Sequence, residues 1–311
     1  MEQYFENYAS LEQQRWMVSD EPRTTAFAKA IAEVVKPGDV VIDVGAGTGL
    51  LSILAAKAGA RRVVAVERSA MAEHARALIA HNGVQDIVEV FEGNGDDLVL
   101  GEKADVIVSE WLGHMAYVEN MFDVVRNVRD AHLKPDGIMI PSSVKLHLAA
   151  VDAAEGFHEH GAGYWEKAAV HGIDFSCFTQ RELDQGLPKR LTFPADLMLG
   201  PGTCFHRLQT RPAIAGEEWR RSNIEVEIER DGTLNGFVGW FSALLSPSVV
   251  LNTSPRHPTT HWEHNLFPFL PTKVKAGDKV KVAVRFDGLE EFRMIELTLE
   301  VNGESISYVL D

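Results

Sequence analysis

Two glutamates in an apolar stretch, "SEWLGHMAYVENM", are spaced so that they could build a site for a cation. A continuous helix would place Glu110 and Glu119 on opposite faces and roughly 13 Å apart. They converge only if the chain turns back between them, and Gly113 lies between them. Two carboxylates in an apolar pocket repel unless a cation separates them, and a guanidinium fits because its planar donors match carboxylates bidentately. The spacing alone more often marks exposed glutamates that flank a helix.

A glycine-rich turn, "VVIDVGAGTGLL", follows the first predicted strand. It places Asp43, Gly45 and Gly47 at the carboxyl end of that strand, where open α/β sheets bind ligands. The pattern is G-x-G-x-G, and Leu50 stands where a dinucleotide fingerprint has its third glycine, which weakens a pyrophosphate interpretation. The alternative is that the glycines only make a tight turn between strand and helix.

Two further acidic residues follow the next predicted strands. Glu67 ends the second strand, where an acid can accept hydrogen bonds from a ribose diol, unless it is only a solvated strand end. Asp96 follows the third strand in "FEGNGDDL" and could accept from an adenine amino group or be an exposed loop acid. Together with Asp43 and the glycines, these acids suit a nucleoside with a cationic centre, such as the sulfonium of S-adenosylmethionine.

The chemistry that joins the two sites is methyl transfer to a guanidinium. Removing a proton from arginine beforehand would cost roughly 8 kcal/mol at neutral pH, so full prior deprotonation is disfavoured. We expect Glu110 and Glu119 to hold the positive charge on one side, while the other terminal nitrogen attacks the methyl group in line. The proton then leaves during or after the transfer.

The elements that must position these residues change character along the chain. Up to about Pro141, strand-like runs such as "DVVIDV" and "ADVIVSE" alternate with helical patterns, which predicts a parallel, doubly wound sheet. After it, period-two runs such as "NIEVEIE" and "KVKVAVRF" predict an antiparallel barrel or sandwich, with hairpin turns at Asp231-Gly232 and Asn302-Gly303. Residues 155–202 resemble an inserted arm, because Gly and Pro break their helical pieces.

The composition of the chain limits the kinds of partner that it is expected to bind. The formal charge of -15 over 311 residues argues against unassisted binding to nucleic acid or an anionic membrane and favours a cationic partner. No apolar run reaches the ~20 residues of a membrane span. The two cysteines, Cys177 and Cys204, are too few for a disulfide framework, so we expect a cytoplasmic protein. The histidines show no evident metal-ligand set, and we expect no metal.

Several separate blocks resemble the protein arginine methyltransferase family. They cover nearly the whole chain in the family's order: "YFENY", "MVSDEPRT", "VIDVGAGTGLLS", "VVAVE", "SEWLGHMAYVENM", "KPDGIMIP" and "SPRHPTTHW". The resemblance implies a class I methyltransferase (Rossmann-like) domain over residues 1–141 and an antiparallel β-barrel domain over residues 142–311. It also implies a helical dimerisation arm at about residues 157–200, and therefore a homodimer.

The resemblance implies a role for individual residues. Arg23 would meet the cofactor carboxylate, Glu67 the ribose, and Glu110 with Glu119 the substrate guanidinium, while His261 beside the pocket would pair with Asp20. The implied cofactor site comprises Phe5, Gln14, Met17, Arg23, Asp43, Gly45, Gly47, Thr48, Leu50, Glu67 and Asp96. The implied substrate pocket comprises Tyr8, Met17, Trp111, Met121 and Trp262. Gln14 departs from the family's usual His.

The sequence leaves alternatives open for both the methylated product and the substrate. Met17 and Met121 match methionines that accompany asymmetric dimethylation in related enzymes, but methionines also fill cores. The sequence predicts methylation of protein arginine, with free L-arginine or another small guanidino compound as the alternative substrate. A catalytically silent, cofactor-binding scaffold is the remaining alternative.

Overall fold

The computed structural model describes residues 9–116, 121–153, 161–211, 221–288 and 295–310. The helices in those residues are α1 (Leu11–Val18), α2 (Glu21–Val34), α3 (Leu50–Lys57), α4 (Met71–His81), α5 (Phe122–His132), α6 (Tyr164–Lys167) and α7 (Phe178–Asp184). The strands of the first half are β1 (Val40–Val44), β2 (Arg62–Glu67), β3 (Val88–Glu92), β4 (Ala104–Val108) and β5 (Leu133–Ile140).

The strands of the second half are more numerous. They are β6 (Ser143–Val151), β7 (Ala169–Val170), β8 (Ile173–Asp174), β9 (Lys189–Leu191), β10 (Thr203–Gln209), β11 (Arg221–Glu227), β12 (Gly232–Leu244), β13 (Val250–Asn252), β14 (His264–Val274), β15 (Lys279–Gly288), β16 (Ile295–Val301) and β17 (Glu304–Leu310). The predicted domain boundary falls between β5 and β6, and it stays a prediction.

The first two helices begin at side chains that cap them. The Ser10 hydroxyl accepts from the Gln13 amide at 3.2 Å, and Asp20 Oδ1 accepts from the Arg23 amide at 3.1 Å. Each cap satisfies an amide that the helix itself leaves without a partner, and Pro22 in the first turn of α2 has no amide hydrogen to satisfy. The caps fix the first residues of α1 and α2. They thereby fix the positions of Met17 and Arg23 on those helices.

The first half forms a five-stranded sheet in the order β3-β2-β1-β4-β5, with parallel pairing throughout. Val40, Val41, Ile42 and Val44 of β1 are buried, as expected for a strand covered on both faces. The strand order reverses between β1 and β4, and the crevice outside the carboxyl ends at such a point is where these sheets bind ligands. The prediction of a doubly wound parallel sheet is confirmed.

The second half forms two large antiparallel sheets, besides the two-stranded ladder of β7 with β8. One has the order β10-β6-β12-β14-β9, with β13 paired to β12, and the other has the order β11-β15-β16-β17. They share one apolar core, in which the Phe267 ring meets the Tyr308 ring edge-on at 5.1 Å. The predicted barrel-like antiparallel domain is confirmed, and the period-two runs arise because alternate side chains such as Ile306 and Leu310 face this core.

One of the two predicted hairpins forms. Asn302 and Gly303 adopt left-handed backbone angles (φ 53° and 86°) and join β16 to β17, which pair directly. The hairpin predicted at Asp231-Gly232 is wrong. The chain does turn there, but β11 pairs with β15 whereas β12 pairs with β6 and β14, so the turn carries the chain from one sheet to the other.

The predicted arm is described from residue 161 onward. It contains α6, the short ladder of β7 with β8, and α7, and it returns to the larger sheet through β9, whose Leu191 pairs with His264 of β14. Large apolar side chains stay exposed along it: Tyr164, Val170, Ile173, Phe178 and Leu187. Among all described residues, the structure has no helix that is both long and apolar enough to cross a membrane.

Candidate active site

The glycine turn after β1 has a backbone that only glycine adopts without strain. Gly45, Gly47 and Gly49 have φ values of 75°, 54° and 82°. A Cβ at Gly47 would lie 3.0 Å from Gln14 Oε1, and one at Gly45 would lie 3.1 Å from Met121 Cε. The turn therefore packs closely under side chains from α1 and from the start of α5.

A cleft opens above this turn at the carboxyl edge of the sheet. It is lined by Gln14, Met17, Val18, Arg23, Gly45, Ala46, Gly47, Thr48, Leu50, Leu51 and Glu110. The structure thus gathers seven of the predicted cofactor residues with one of the two predicted guanidinium-binding glutamates. Gln14 is buried over the glycine turn, where the family usually has His.

Glu67 closes the end of β2 beside the cleft. Its side chain is buried, with Oε2 accepting from the Gly47 amide and Oε1 from the Ser69 amide, both at 2.8 Å. The alternative of a solvated strand end is therefore wrong. Each carboxylate oxygen keeps a further lone pair for another donor.

Asp43 is fully buried beneath the turn. Its Oδ2 accepts from the Ser52 hydroxyl at 2.6 Å, whereas Oδ1 has no hydrogen-bond partner among the described residues. Burial raises the pKa of Asp43 to about 7; the Ser52 hydrogen bond opposes the rise, and the nearby charge of Glu67 adds to it. A buried acceptor without a donor, beside a glycine turn, fits a site that is completed by a ligand.

Arg23 and Glu110 form a buried ion pair across the cleft. Arg23 Nη2 and Nε donate to Glu110 Oε2 at 2.7 and 3.0 Å, and Nη1 donates to the Met17 carbonyl at 3.1 Å. The two side chains are only 11% and 7% exposed. Glu110 Oε1 also accepts from the Leu112 amide at 3.0 Å. The predicted guanidinium acceptor thus already holds a guanidinium, that of Arg23.

His261 and Asp20 are brought together from opposite ends of the chain. His261 Nδ1 lies 2.7 Å from Asp20 Oδ2, and the His261 amide donates to the same oxygen at 2.8 Å. Burial opposes ionisation of Asp20, but the His261 and Arg23 hydrogen bonds outweigh it and lower the pKa of Asp20 overall. With Nδ1 engaged by Asp20, Nε2 is the ring nitrogen that remains for another partner.

Trp262 lies against the loop that follows Glu110. Its indole Nε1 donates to the Leu112 carbonyl at 2.6 Å, and its ring meets Phe241 edge-on at 5.0 Å. Trp111 is also buried, but it packs in the core with its ring 4.8 Å from Phe122 and is not among the cleft-lining residues described above. Its predicted place in the substrate pocket stays a prediction.

Other predicted residues lie elsewhere. Asp96 is exposed, and its Oδ1 accepts from Asn127 of α5 at 2.9 Å. Like Asp43 and Glu67, it is not among the cleft-lining residues, and its predicted contact with an adenine stays a prediction. Phe5, Tyr8 and Glu119 fall outside the described residues, so the convergence of the two glutamates stays a prediction. In the part of the chain that the structure describes, no group of three His, Cys, Asp or Glu side chains is placed to hold a metal.

Four residues that sequence reasoning missed cluster beside the cleft. His114 lies between the two glutamates in sequence, and its Nε2 is 2.5 Å from Nη1 of Arg190 on β9. Arg190 Nε donates to Glu263 at 2.9 Å, and its guanidinium lies over the Trp16 ring, 6.0 Å from its centre. Only His114 had a sequence signal, its place inside the glutamate motif.

The fold and the cleft together define a Rossmann-like α/β domain of the methyltransferase class. Comparison with known families agrees: residues 20–153 match a model described as ribosomal protein L11 methyltransferase, and residues 142–304 match one described as the arginine methyltransferase oligomerization subdomain. The chain belongs to the protein arginine N-methyltransferase family, and the resemblance seen in the sequence is confirmed.

Named relatives cover most of the chain. Protein arginine N-methyltransferase 2 of Mus musculus is 34% identical over 295 residues, which are 90% of this chain and 65% of that protein. The chain thus spans about two thirds of that relative's length. Protein arginine N-methyltransferase PRMT10 of Arabidopsis thaliana is 34% identical over 328 residues, 96% of this chain and 86% of that protein.

Two solved structures share the fold. The Trypanosoma brucei PRMT1 enzyme-prozyme complex with AdoHcy superposes with a TM-score of 0.88 at 27% identity, covering 98% of this chain and 99% of that one. Arabidopsis thaliana protein arginine methyltransferase 10 superposes with a TM-score of 0.84 at 29% identity, covering 99% and 100%.

Proposed function

We propose that this protein is an S-adenosylmethionine-dependent arginine N-methyltransferase that methylates a terminal guanidinium nitrogen of protein arginine. The observation that carries the proposal is the setting of Glu110. A buried carboxylate at the edge of the glycine cleft accepts two hydrogen bonds from the guanidinium of Arg23. The site can therefore hold a guanidinium, and it does so next to the proposed cofactor site.

The residues that line the cleft, together with the buried Glu67 and Asp43 next to its glycine turn, fit S-adenosylmethionine. The glycine turn lets a ligand approach the backbone, Glu67 keeps lone pairs for a ribose, and Arg23 offers donors for the amino acid carboxylate. Asp43 Oδ1 is a buried acceptor that lacks a partner among the described residues. Bound there, S-adenosylmethionine would supply a methyl group on a sulfonium that a nitrogen can attack, leaving S-adenosylhomocysteine. No metal enters the proposal.

The protein itself would contribute to the reaction by placing negative charges beside the substrate guanidinium. Since deprotonating arginine first would cost roughly 8 kcal/mol, the acceptor is better bound as a cation. Glu110, with Glu119, would hold that charge on one side of the guanidinium and leave the far nitrogen facing the methyl group. Asp20 fixes the His261 ring through Nδ1, so Nε2 can take up the proton that leaves.

Asymmetric dimethylation is the product we propose. Met17 lines the cleft, and Met121 Cε lies against Gly45. Met17 therefore lies in the proposed cofactor cleft and Met121 against its glycine turn, and these positions support the product inferred from the family. Mass spectrometric fragmentation of the methylated peptide tests it, because symmetric and asymmetric dimethylarginine lose different neutral amines.

Dimerisation through the arm is also proposed. The second half matches an oligomerization subdomain, and the arm exposes Ile173 (58%), Leu187 (51%) and other apolar side chains. Such a row of apolar groups is typical of a surface that a partner covers. Light scattering at working concentration should give twice the chain mass, and Ile173→Asp with Leu187→Asp should give a monomer. A monomeric wild-type mass would defeat this proposal.

Both cysteines are free, in keeping with a cytoplasmic protein, and that location stays a prediction.

The decisive experiment offers two substrates to one enzyme. The protein is incubated with labelled S-adenosylmethionine and either an Arg-Gly-rich peptide or free L-arginine, and products are identified by mass spectrometry. Methylation of the peptide alone supports the proposal. Methylation of free arginine alone would move the same chemistry to a small-molecule substrate, and cofactor binding without turnover would make the protein a silent scaffold.

Matched variants link turnover to the glutamates. Glu110→Gln and Glu119→Gln keep shape but remove charge, and we expect methyl transfer to fall by orders of magnitude in both. Cofactor binding should survive in Glu119→Gln, whereas Glu110→Gln also removes the partner of Arg23 in the cofactor cleft. Glu300→Gln, at an exposed position on β16, is the control and should retain wild-type turnover. Equal turnover in all three variants would refute the paired-carboxylate mechanism.

A further inference from the structure

The segment that carries Glu110 has a strained backbone. We call residues 110–116 the glutamate loop. Met115 and Ala116 have φ values of 48° and 63°, a region that residues with a Cβ rarely adopt. Gly113 and Ala116 exchange backbone hydrogen bonds at 2.9 and 3.3 Å, which closes the loop on itself. Two adjacent strained residues persist only where surrounding contacts hold them.

Contacts from the second half of the chain hold the loop. Trp262 Nε1 donates to the Leu112 carbonyl, and Met115 packs so closely on β12 that a Cβ at Gly239 would lie 2.9 Å from its sulfur. Both ring nitrogens of His114 have a hydrogen-bond partner. Nδ1 is 3.0 Å from the Trp262 carbonyl, and Nε2 is 2.5 Å from Arg190. The loop is thus shaped by the barrel domain.

The two His114 contacts fix its tautomer and its charge. Arginine can only donate, so Nε2 must accept from Arg190, and Nδ1 must carry the hydrogen that is donated to the Trp262 carbonyl. The imidazole must therefore be neutral. Burial, together with the positive charge of Arg190, lowers the pKa of His114 to about 4; His261 and Glu263 are the other titratable groups that face it.

Arg190 is itself held in place from two further directions. Glu263, which follows Trp262, accepts from Nε at 2.9 Å, and the Trp16 ring lies beneath the guanidinium. Trp16 meets the His261 ring edge-on at 5.3 Å. One side chain on β9 therefore touches α1, the glutamate loop and the residue after Trp262. The cofactor cleft described above is lined by none of the four clustered residues, which are His114, Arg190, Glu263 and Trp16.

We propose that Arg190 and His114 act as a positioning pair, through which the barrel domain sets the glutamate loop for the substrate guanidinium but not for the cofactor. This inference rests on the proposed function. Loss of the pair should let residues 113–116 relax from their strained form, whereas Glu110 keeps its hydrogen bonds with Arg23 and the Leu112 amide at the cofactor cleft. Substrate binding and turnover should suffer, because a small misplacement of a reacting group is costly, while cofactor affinity should not change.

The test replaces Arg190 with Met and with Lys. Arg190→Met keeps length but removes the donors and the charge, and we expect kcat/KM for an arginine peptide to fall roughly ten- to a hundredfold, with cofactor affinity by calorimetry unchanged. Arg190→Lys can still donate to His114 and should recover part of the loss. Arg207→Met is the control, since Arg207 is exposed on β10 at the opposite edge of the same sheet.

Two readouts separate positioning from general damage. With the Arg190 charge gone, the His114 pKa should rise, so the acid limb of the pH-rate profile should shift to higher pH; NMR of the labelled imidazole should show the same shift without any turnover. Wild-type kinetics and an unshifted imidazole in Arg190→Met would overturn the pair, as would an equal loss of cofactor affinity. If wild-type protein methylates no arginine, the proposed function fails, and the NMR result still decides whether the pair exists.

Discussion

Replacing Arg23 with Met should destabilise the protein strongly, because it strands a buried charge. Arg23 donates twice to one oxygen of Glu110, at 2.7 and 3.0 Å, and both side chains are nearly excluded from water. Without Arg23, the Glu110 carboxylate keeps only the Leu112 amide as a donor among its described partners. Breaking a buried pair on one side typically costs about 3–5 kcal/mol, a large fraction of the roughly 5–15 kcal/mol that stabilises a folded domain.

A double-mutant cycle isolates this effect. Glu110→Gln in the Arg23→Met background removes the stranded charge, so the double variant should be more stable than the sum of the single losses predicts, by about 2 kcal/mol. The free energy of unfolding is measured by urea denaturation, with Arg207→Met as the exposed control, expected within about 0.5 kcal/mol of wild type. Additive losses, or a loss below about 1 kcal/mol for Arg23→Met, would refute the reasoning that the pair is buried and coupled.

Three further predictions concern the cofactor cleft. Glu67→Gln turns an amide group towards one of the two backbone donors, so cofactor affinity by calorimetry should weaken by about 1–3 kcal/mol, and an unchanged affinity would remove Glu67 from the site. Asp43 has a folded-state pKa of about 7, so between about pH 4 and 7 the folded protein keeps a proton that the unfolded chain releases; the free energy of unfolding should fall as pH rises through that window, and Asp43→Asn should flatten the fall. A slope equal to wild type in Asp43→Asn would place the titration elsewhere. Gly47→Ala forces a Cβ into a left-handed backbone 3.0 Å from Gln14 Oε1, so both stability and cofactor affinity should drop by about 1–2 kcal/mol, whereas Gly101→Ala, with nothing within 4 Å, should be neutral.

Local signals in the sequence predicted the part of the site that one short stretch builds. The turn after β1 needs residues with left-handed backbone angles, which glycine adopts most easily. The glycines at positions 45 and 47 therefore predicted the turn directly. The parallel sheet follows from alternating strands and helices, and it brings the ends of β1, β2 and β4 to one edge without further information. Glu67 and Glu110 were therefore placed at the correct edge.

Contacts between distant segments were beyond such signals. Asp231-Gly232 marks a turn, but only the pairing of β11 with β15 decides that the turn joins two sheets. The Arg23 and Glu110 contact spans 87 residues and the Arg190 and His114 contact spans 76, and no local pattern links either pair. The pocket role of Trp111 rests on the family resemblance alone, and no local pattern predicted that its ring would pack 4.8 Å from that of Phe122.

The hydrogen bonds of Asp20 with His261 and of Leu112 with Trp262 join the two ends of the chain within one site. An exchange of one half alone would therefore break both contacts unless the matching residues came with it. A chimera that takes its barrel from another member must also inherit a histidine that faces Asp20 and an indole that reaches the Leu112 carbonyl. Separately expressed fragments divided near residue 141 should each lack a complete site, and any restored turnover on mixing would report the reassembly of this interface.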